Sequence, residues 1–518
     1  MNDHADAPVA DSTAIAFVLQ RFAQYRDRVA IRYKLGEWTY ADLLARIYRM
    51  TRALHAQGLG RGDVLAVLTG NHPETFVLRY SANALGAATT ILYDDLAAPL
   101  LIEMLRATDA SMLVYDPDWH THEAHAIAQQ TKIRVLTLGE STFAVNLEAQ
   151  AAAQPAKPST VLARVEDLSE IRLTGGSTGT PKGIPRTSRI PGYLAPTALH
   201  RWEDSIQLLC TPIGHLGGTL AEVALAAGGR VVLHEHFDPG NVLTAIENEH
   251  VNYLWANPNH LHRLLDHPAL DTTDTSSLRA LHLGSWASTP QRVAEAIRRL
   301  GPVIVQGYGA NEVGQVTWLG QEEHLKSELL TTVGKPVPGV EVTIRNRQGE
   351  PTDAGTTGEI WVRSPGMMTG YYRQPEQTAE ALQNGWFHTG DLGVINNAGY
   401  LTIAGRINDI IITTNGHIYP SAIEELLLQH PAIVQAVVFG YTTSGNDEQV
   451  CAAIVPTLKN SITQDDVVDW VAKNRGGAYS PEVVLICESL PTTGSGKPDR
   501  NALRATVASL RDSSPNNQ

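Results

Sequence analysis

The sequence predicts an α/β protein. A large N-terminal domain of layered α/β subdomains carries a small β-rich subdomain and is followed by a small α+β C-terminal domain. Three observations support this. Helix and strand patterns alternate through most of the chain, which favours layered sheets of largely parallel strands. From 331 to 404, Gly and Pro become frequent and short strands take over. After Arg406 the pattern changes again, to a compact mixture of strands and helices. The predicted boundary lies at 406–408, giving units 1–406 and 407–518.

In chain order, residues 1–12 and 508–518 read as frayed tails. Thr39 with Asp42 three positions later marks a helix start. Leu43, Leu44, Ile47, Met50 and Leu54 then recur at helical spacing up to Gly58, and Val64–Leu68 follows as a short apolar strand. Similar helix–strand units are expected at 98–115 and 242–255. The stretch 148–160 reads as a low-information connector. Val340–Ile344 and Gly358–Val362 are strands of the β-rich subdomain. In the C-terminal unit, Ile410–Thr413 is a strand. Pro420–Gln429 is a helix opened by Ser421 with Glu424 in capping-box spacing. Strands at 433–439 and 449–456, a helix at 463–474 and a strand at 483–487 complete the unit.

Composition excludes several functions. Of 518 residues, 43% are apolar and 18% charged, a globular balance with ample material for a core. Asp and Glu number 54 against 40 Lys and Arg, a formal net charge of −14. That excess disfavours a nucleic-acid binder, which needs basic surface to neutralise phosphates. Three scattered cysteines, Cys210, Cys451 and Cys487, offer neither a disulfide framework nor a structural zinc site. No apolar run is long enough to span a membrane. The N-terminus lacks a basic start and apolar run, so a cytoplasmic protein is expected.

The sharpest segment is Thr174-Gly-Gly-Ser-Thr-Gly-Thr-Pro-Lys182-Gly183, a loop leaving the apolar stretch Ile171–Leu173. Its glycines let the backbone approach a ligand, its hydroxyls and N–H groups can cradle phosphate, and Lys182 adds a positive charge. Thr180 and Pro181 separate Gly179 from Lys182, so it is not a Walker A loop. A flexible Gly/Ser loop is the plain alternative.

That segment resembles the phosphate loop of the adenylate-forming superfamily: acyl- and aryl-CoA synthetases, peptide-synthetase adenylation domains and luciferases. Further motifs follow in the family's order. Pro212-Ile-Gly-His215 is similar to its Pro-x-x-His segment. Gln306-Gly-Tyr308-Gly-Ala-Asn311-Glu312 is similar to its Tyr-Gly-x-Thr-Glu motif. Gly385-Trp-Phe-His-Thr-Gly-Asp391 resembles Gly-Trp-x-x-Thr-Gly-Asp. Gly405-Arg406-Ile-Asn408-Asp409 resembles the domain junction, and Leu490-Pro-Thr-Thr-Gly-Ser-Gly496-Lys497 the C-terminal lysine motif. The resemblance covers about residues 15–505.

It implies that a carboxylic acid attacks the α-phosphate of ATP to give an acyl-adenylate, which then passes to a thiol. Catalytic roles fall on Lys497, His215 and Glu312, with Glu312 also holding Mg²⁺. Nucleotide binding is implied for Thr174, Gly176, Ser177, Thr178, Gly179 and Lys182 of the loop. It is also implied for Gly284, Ser285 and Trp286, for Tyr308, Gly309 and Asn311, and for Asp391 and Arg406. Tyr308 would stack on adenine, and Asp391 and Arg406 would bind the ribose hydroxyls. His215 would sit at the mouth of the acid pocket, the alternative being a structural histidine; Gly217 and Gly218 beside it would leave room for a ligand. Asn408 falls at the hinge about which the small domain would swing between two poses. Gly416 would line the thiol tunnel in the second.

Three departures stand out: Asn311 in place of the usual Thr, bulky Trp286 among the usual small residues, and Pro498 directly after Lys497. The segment 212–220 has no Asp to pair an α-ammonium group, which disfavours an amino-acid substrate. An aryl, alkyl or polycyclic acid is expected, with Trp255, Trp286 and Val313 either lining its pocket or forming plain core. Coenzyme A is the expected acceptor; a carrier-protein thiol or an amine stays open, as does a relative competent only for thioester formation. A monomer or homodimer is expected. No Gly-x-Ser-x-Gly elbow stands beside a matching His/Asp set, which disfavours an α/β hydrolase.

Overall fold

The computed structural model describes residues 12–512 except 35, 94–95, 175–180, 287, 414–415, 443–447, 458–461 and 494–496. Two seven-stranded sheets form the body of the N-terminal unit. The first runs in the order Val145–Asn146, Arg134–Thr137, Met112–Tyr115, Val64–Leu68, Ala88–Ile91, Leu168–Thr174, Lys182–Thr187. Its strands are parallel until the last pair, which is an antiparallel hairpin. The second runs Ile304–Gln306, Ala280–Leu283, Tyr253–Ala256, Ile206–Leu209, Arg230–Leu233, Val29–Tyr33, Gly36–Thr39. It too ends in an antiparallel hairpin, contributed by the start of the chain.

Helices pack on these sheets as the periodicity requires. Tyr40–Ala56 opens with the expected capping box: Thr39 accepts from the Asp42 N–H and Asp42 accepts from the Thr39 N–H. Its Leu43, Leu44, Ile47, Met50 and Leu54 are buried in a core shared with both sheets. Helices Ala98–Ala107 and Pro239–Glu249, each followed by a parallel strand, confirm the two further units.

A five-stranded antiparallel sheet of Glu341–Arg345, Gly358–Arg363, Trp386–Ile395, Leu382–Gln383 and Leu401–Arg406 forms the β-rich part. Beyond it, Ile433–Thr442, Glu448–Pro456 and Val483–Ile486 make a three-stranded sheet. Helices Pro420–Leu427, Gln464–Arg475 and Arg500–Asp512 cover it. The buried clusters of this C-terminal part draw only on residues from Ile411 onward.

Three expectations are corrected. Residues Leu147–Ala152 form a short helix capped by Asn146, so the connector begins later than the composition suggests. Residues 508–512 belong to the last helix. Helix Pro420–Leu427 has no side-chain cap. Ser421 instead donates to the Ala404 carbonyl, and Glu424 accepts from the Val438 N–H and pairs with Arg500 at 2.8 Å. Both side chains are drawn into contacts between elements, which outweigh a local cap.

Candidate active site

One large cleft, about 3570 Å³ in volume, runs between the N-terminal body and the C-terminal unit. Thr174 and Lys182 stand at its edge as cross-strand partners. The loop residues Gly176, Ser177, Thr178 and Gly179 lie outside the described residues. A Cβ at Gly183 would come within 2.8 Å of the Ile171 side chain, so any larger residue there would force a shift. The Lys182 ammonium lies 4.9 Å over the Tyr371 ring, a cation–π contact. The Tyr371 hydroxyl donates to Glu312 Oε1 at 3.1 Å, so Lys182 and Glu312 are joined through one aromatic side chain. Sequence reading did not single out Tyr371.

Tyr308, Gly309, Asn311 and Glu312 arise from a tight hairpin, Gly309–Ala310 against Gly314–Gln315. A Cβ at Gly309 would sit 2.4 Å from the Gly314 carbonyl, so only glycine fits. The Tyr308 hydroxyl donates to Asp391 Oδ2 at 2.6 Å. Arg406 donates to the other oxygen, Oδ1, at 2.9 Å, and is paired with Asp391 across adjoining strands. Burial and the Asp391 carboxylate hold the Tyr308 hydroxyl far above the usual phenol range, so it stays a donor. The two remote motifs around Tyr308 and Asp391 therefore meet.

Gly284, Ser285 and half-buried Trp286 also line the cleft. A Cβ at Gly284 would contact the Trp255 indole N at 3.5 Å, and Ser285 has φ +79°, a left-handed conformation that is strained for a non-glycine residue. Trp255 is buried and lines the cleft as well. Val313 also edges the cleft, but is fully buried in the core cluster that includes Ile184, Ile360 and Val362.

His215 precedes helix Leu216–Ala226 and stacks on Tyr93, ring centroids 5.2 Å apart and planes 7° from parallel. Burial, with Arg172 and Lys497 adding to it, pushes its pKa down to about 4. The ring is neutral at neutral pH, and its Nε2 is buried with no protein partner among the described residues. The two glycines that follow do not leave room for a ligand, contrary to expectation. A Cβ at Gly218 would lie 1.9 Å from the Ile213 carbonyl, and one at Gly217 would lie 2.4 Å from Thr211 Oγ1. They let the helix sit directly on the loop that carries His215.

Lys497 reaches the cleft from the C-terminal unit, its carbonyl accepting from the Thr493 N–H at 2.7 Å. Its side chain is solvent-accessible in the open cleft yet surrounded by protein. This crowding and the Arg406 guanidinium lower its pKa, while Asp391 and Glu312 act the other way. Lys497 thus lies within electrostatic reach of His215, Glu312, Asp391 and Arg406. Gly416 belongs to a small hairpin, Ile411–Thr413 with Gly416–Ile418. Asn408 lies in a single 3₁₀ turn, Ile407–Asp409, where Asp409 pairs with Arg500 at 3.6 Å.

The reading of Ile171–Leu173 as simply apolar passes over Arg172, which turns into the cleft beside Glu170. The alternation Glu170, Arg172 in a buried strand is the signal that could have found them. Among the described residues no group of three or more His, Cys, Asp or Glu is arranged to hold a metal. Among the described residues no helix is long and apolar enough to cross a membrane.

The AMP-binding enzyme family profile matches residues 18–372, and that of the AMP-binding enzyme C-terminal domain matches 422–497. The chain is 32% identical over 489 residues to the medium/long-chain-fatty-acid–CoA ligase FadD8 of Mycobacterium tuberculosis, covering 90% of this chain and 85% of that protein. It is 33% identical over 475 residues to a feruloyl-CoA synthase of Amycolatopsis, covering 90% and 94%. The solved structure of the amide bond synthetase McbA from Marinactinospora thermotolerans superposes with a TM-score of 0.83. Its identity is 32%, and the match covers 95% of this chain and 99% of that one.

Proposed function

Because the chain belongs to the AMP-binding enzyme family, we propose that it is an acid–thiol ligase that couples a carboxylic acid to coenzyme A through an acyl-adenylate. The observation that carries this reading is Lys497. A lysine of the C-terminal unit shares one cleft with Glu312, Asp391, Arg406 and His215 of the N-terminal body.

In the first step the acid's carboxylate attacks the α-phosphate of ATP and pyrophosphate leaves. Negative charge gathers between the two reacting groups, and the Lys497 ammonium neutralises it. Thr174, Lys182 and the loop between them hold the phosphates, and Asp391 with Arg406 holds the ribose. Glu312 offers a hard oxygen donor in the cleft, bonded to the neutral Tyr371 hydroxyl, which fits Mg²⁺. Magnesium, when bound, neutralises phosphate charge there. The neutral His215 ring borders the acid without adding a charge to it. In the second step the unit beyond residue 406 swings about 406–409 and withdraws Lys497. The thiol of coenzyme A then attacks the adenylate carbonyl and AMP leaves. The protein works in the cytoplasm as a monomer or homodimer.

The amide bond synthetase named above favours one second reading, in which an amine takes the place of the thiol. Pyrophosphate release over a panel of aryl and alkyl acids, with coenzyme A or an amine added, tests both. Thioester product supports the first reading and amide product the second. The absence of adenylate with every acid contradicts both.

A further inference from the structure

A cluster of buried charges lines the cleft beside His215 and takes no part in the steps above. Arg79 comes from helix Glu74–Ala84, Glu170 and Arg172 from strand Leu168–Thr174, Arg186 from strand Lys182–Thr187, and Glu222 from helix Leu216–Ala226. Arg79 pairs with Glu170 and with Glu222, each at 3.1 Å. Arg172 pairs with Glu170 at 3.1 Å and donates to Thr219 at 3.2 Å. Arg186 is only within 3.9 Å of Glu170 and donates to the Asn311 carbonyl at 3.2 Å.

The balance of charge is uneven. Three guanidiniums face two carboxylates, and the neighbouring buried Tyr80 is held neutral by its burial. One positive charge is left over among the described residues. Two nitrogens in the cluster, Arg79 Nη1 and Arg186 Nε, are buried with no hydrogen-bond partner among them. Burying donors and charge in this state is costly unless something supplies acceptors. A purely structural network would close on itself, whereas this one opens into the cleft at Arg186, whose side chain is 29% exposed against 9–10% for Arg79 and Arg172.

We propose that Arg186 and Arg172 form a subsite for a second anionic oxygen group on the acid substrate, so that the enzyme prefers dicarboxylic acids over monocarboxylic acids of the same shape. Arg186 gives specificity through a charge-assisted contact that a neutral end group cannot make. The inference rests on the ligase reading for its substrate, although the subsite can be tested without turnover.

The experiment compares short-chain dicarboxylic and benzenedicarboxylic acids with their monomethyl esters. Pyrophosphate release gives kcat/KM for each, and thermal shift of the ATP-free protein gives binding. The expected wild-type result is a preference for at least one diacid of about tenfold or more. Arg186→Gln and Arg172→Gln should each collapse the ratio, and Arg186→Lys should restore part of it. Equal handling of diacid and ester by the wild type, or equal losses for both in the variants, overturns the proposal; equal losses would assign the arginines to the reacting carboxylate. Should a variant fail to fold, the wild-type ratio and Arg186→Lys decide. Diacid-specific stabilisation without pyrophosphate release would sink the ligase reading and leave the subsite standing.

Discussion

The hydroxyl of Tyr308 donates to Asp391 Oδ2 at 2.6 Å while Arg406 holds Oδ1 at 2.9 Å. A residue beside the hairpin 309–315 and the last residue of strand Leu401–Arg406 are thus fixed to one carboxylate. Asp391→Asn should raise KM for ATP about tenfold or more, because a carboxylate that orders two partners is worth about 1.5–3 kcal/mol. Titration of ATP at fixed acid checks this, and an unchanged KM would detach Asp391 from the nucleotide.

Gly218→Ala should cost about 1–3 kcal/mol of stability, since overpacking forces the backbone apart. The clash is with the Ile213 carbonyl, two residues from His215, so kcat/KM for the acid should fall as well. Denaturant melts together with kinetics test this. Wild-type values in both would mean that the loop and helix separate freely.

Ile407→Pro should keep adenylation and suppress thioester formation. Arg406 has φ −112° and ψ 146°, the extended conformation that suits a residue before proline, and Ile407 opens the 3₁₀ turn. Proline at 407 therefore favours the pose that holds Lys497 in the cleft. Asn408→Pro is less suitable, because it would press Ile407 out of its helical turn. Separate assays of pyrophosphate release and thioester formation check the outcome; a parallel loss in both steps would argue against a hinge here.

Stability should fall as pH drops from about 6.5 towards 4. Burial pushes His262 and His282 down to about 4 and His260 to about 3, with Arg263 adding to His260 and Arg292 to His262. The unfolded chain takes up protons near 6.5 while the folded chain does not, so each such histidine withdraws stability across that window, at about 1.4 kcal/mol per pH unit. Thermal melts against pH test it, with His282→Gln expected to flatten the slope. A melting temperature constant over this range would contradict the burial argument.

Much of this was legible in the sequence because it is local. The capping box at Thr39, the alternation of helix and strand, and the motifs around Thr174, Tyr308, Asp391 and Lys497 depend on neighbours along the chain. What escaped is what the fold brings together. Tyr371 gains its role only where a loop of the β-rich part meets Glu312 and Lys182. Arg79 looks like an ordinary helix residue until helix and strands converge on Glu170 and Glu222. Gly217 and Gly218 follow the same rule: one meets the Thr211 side chain and the other the Ile213 backbone, a close approach that spacing does not reveal.

The central claim is that Lys497 acts on the first step and not on the second. The most direct measurement is Lys497→Ala assayed on each half-reaction separately. Adenylate formation, read as pyrophosphate release, should fall by about 10²–10³, the effect of losing one positioned charge at a developing phosphate charge. Thioester formation from supplied acyl-adenylate and coenzyme A should stay near the wild-type rate. Equal losses in both steps, or an unimpaired first step, would contradict it.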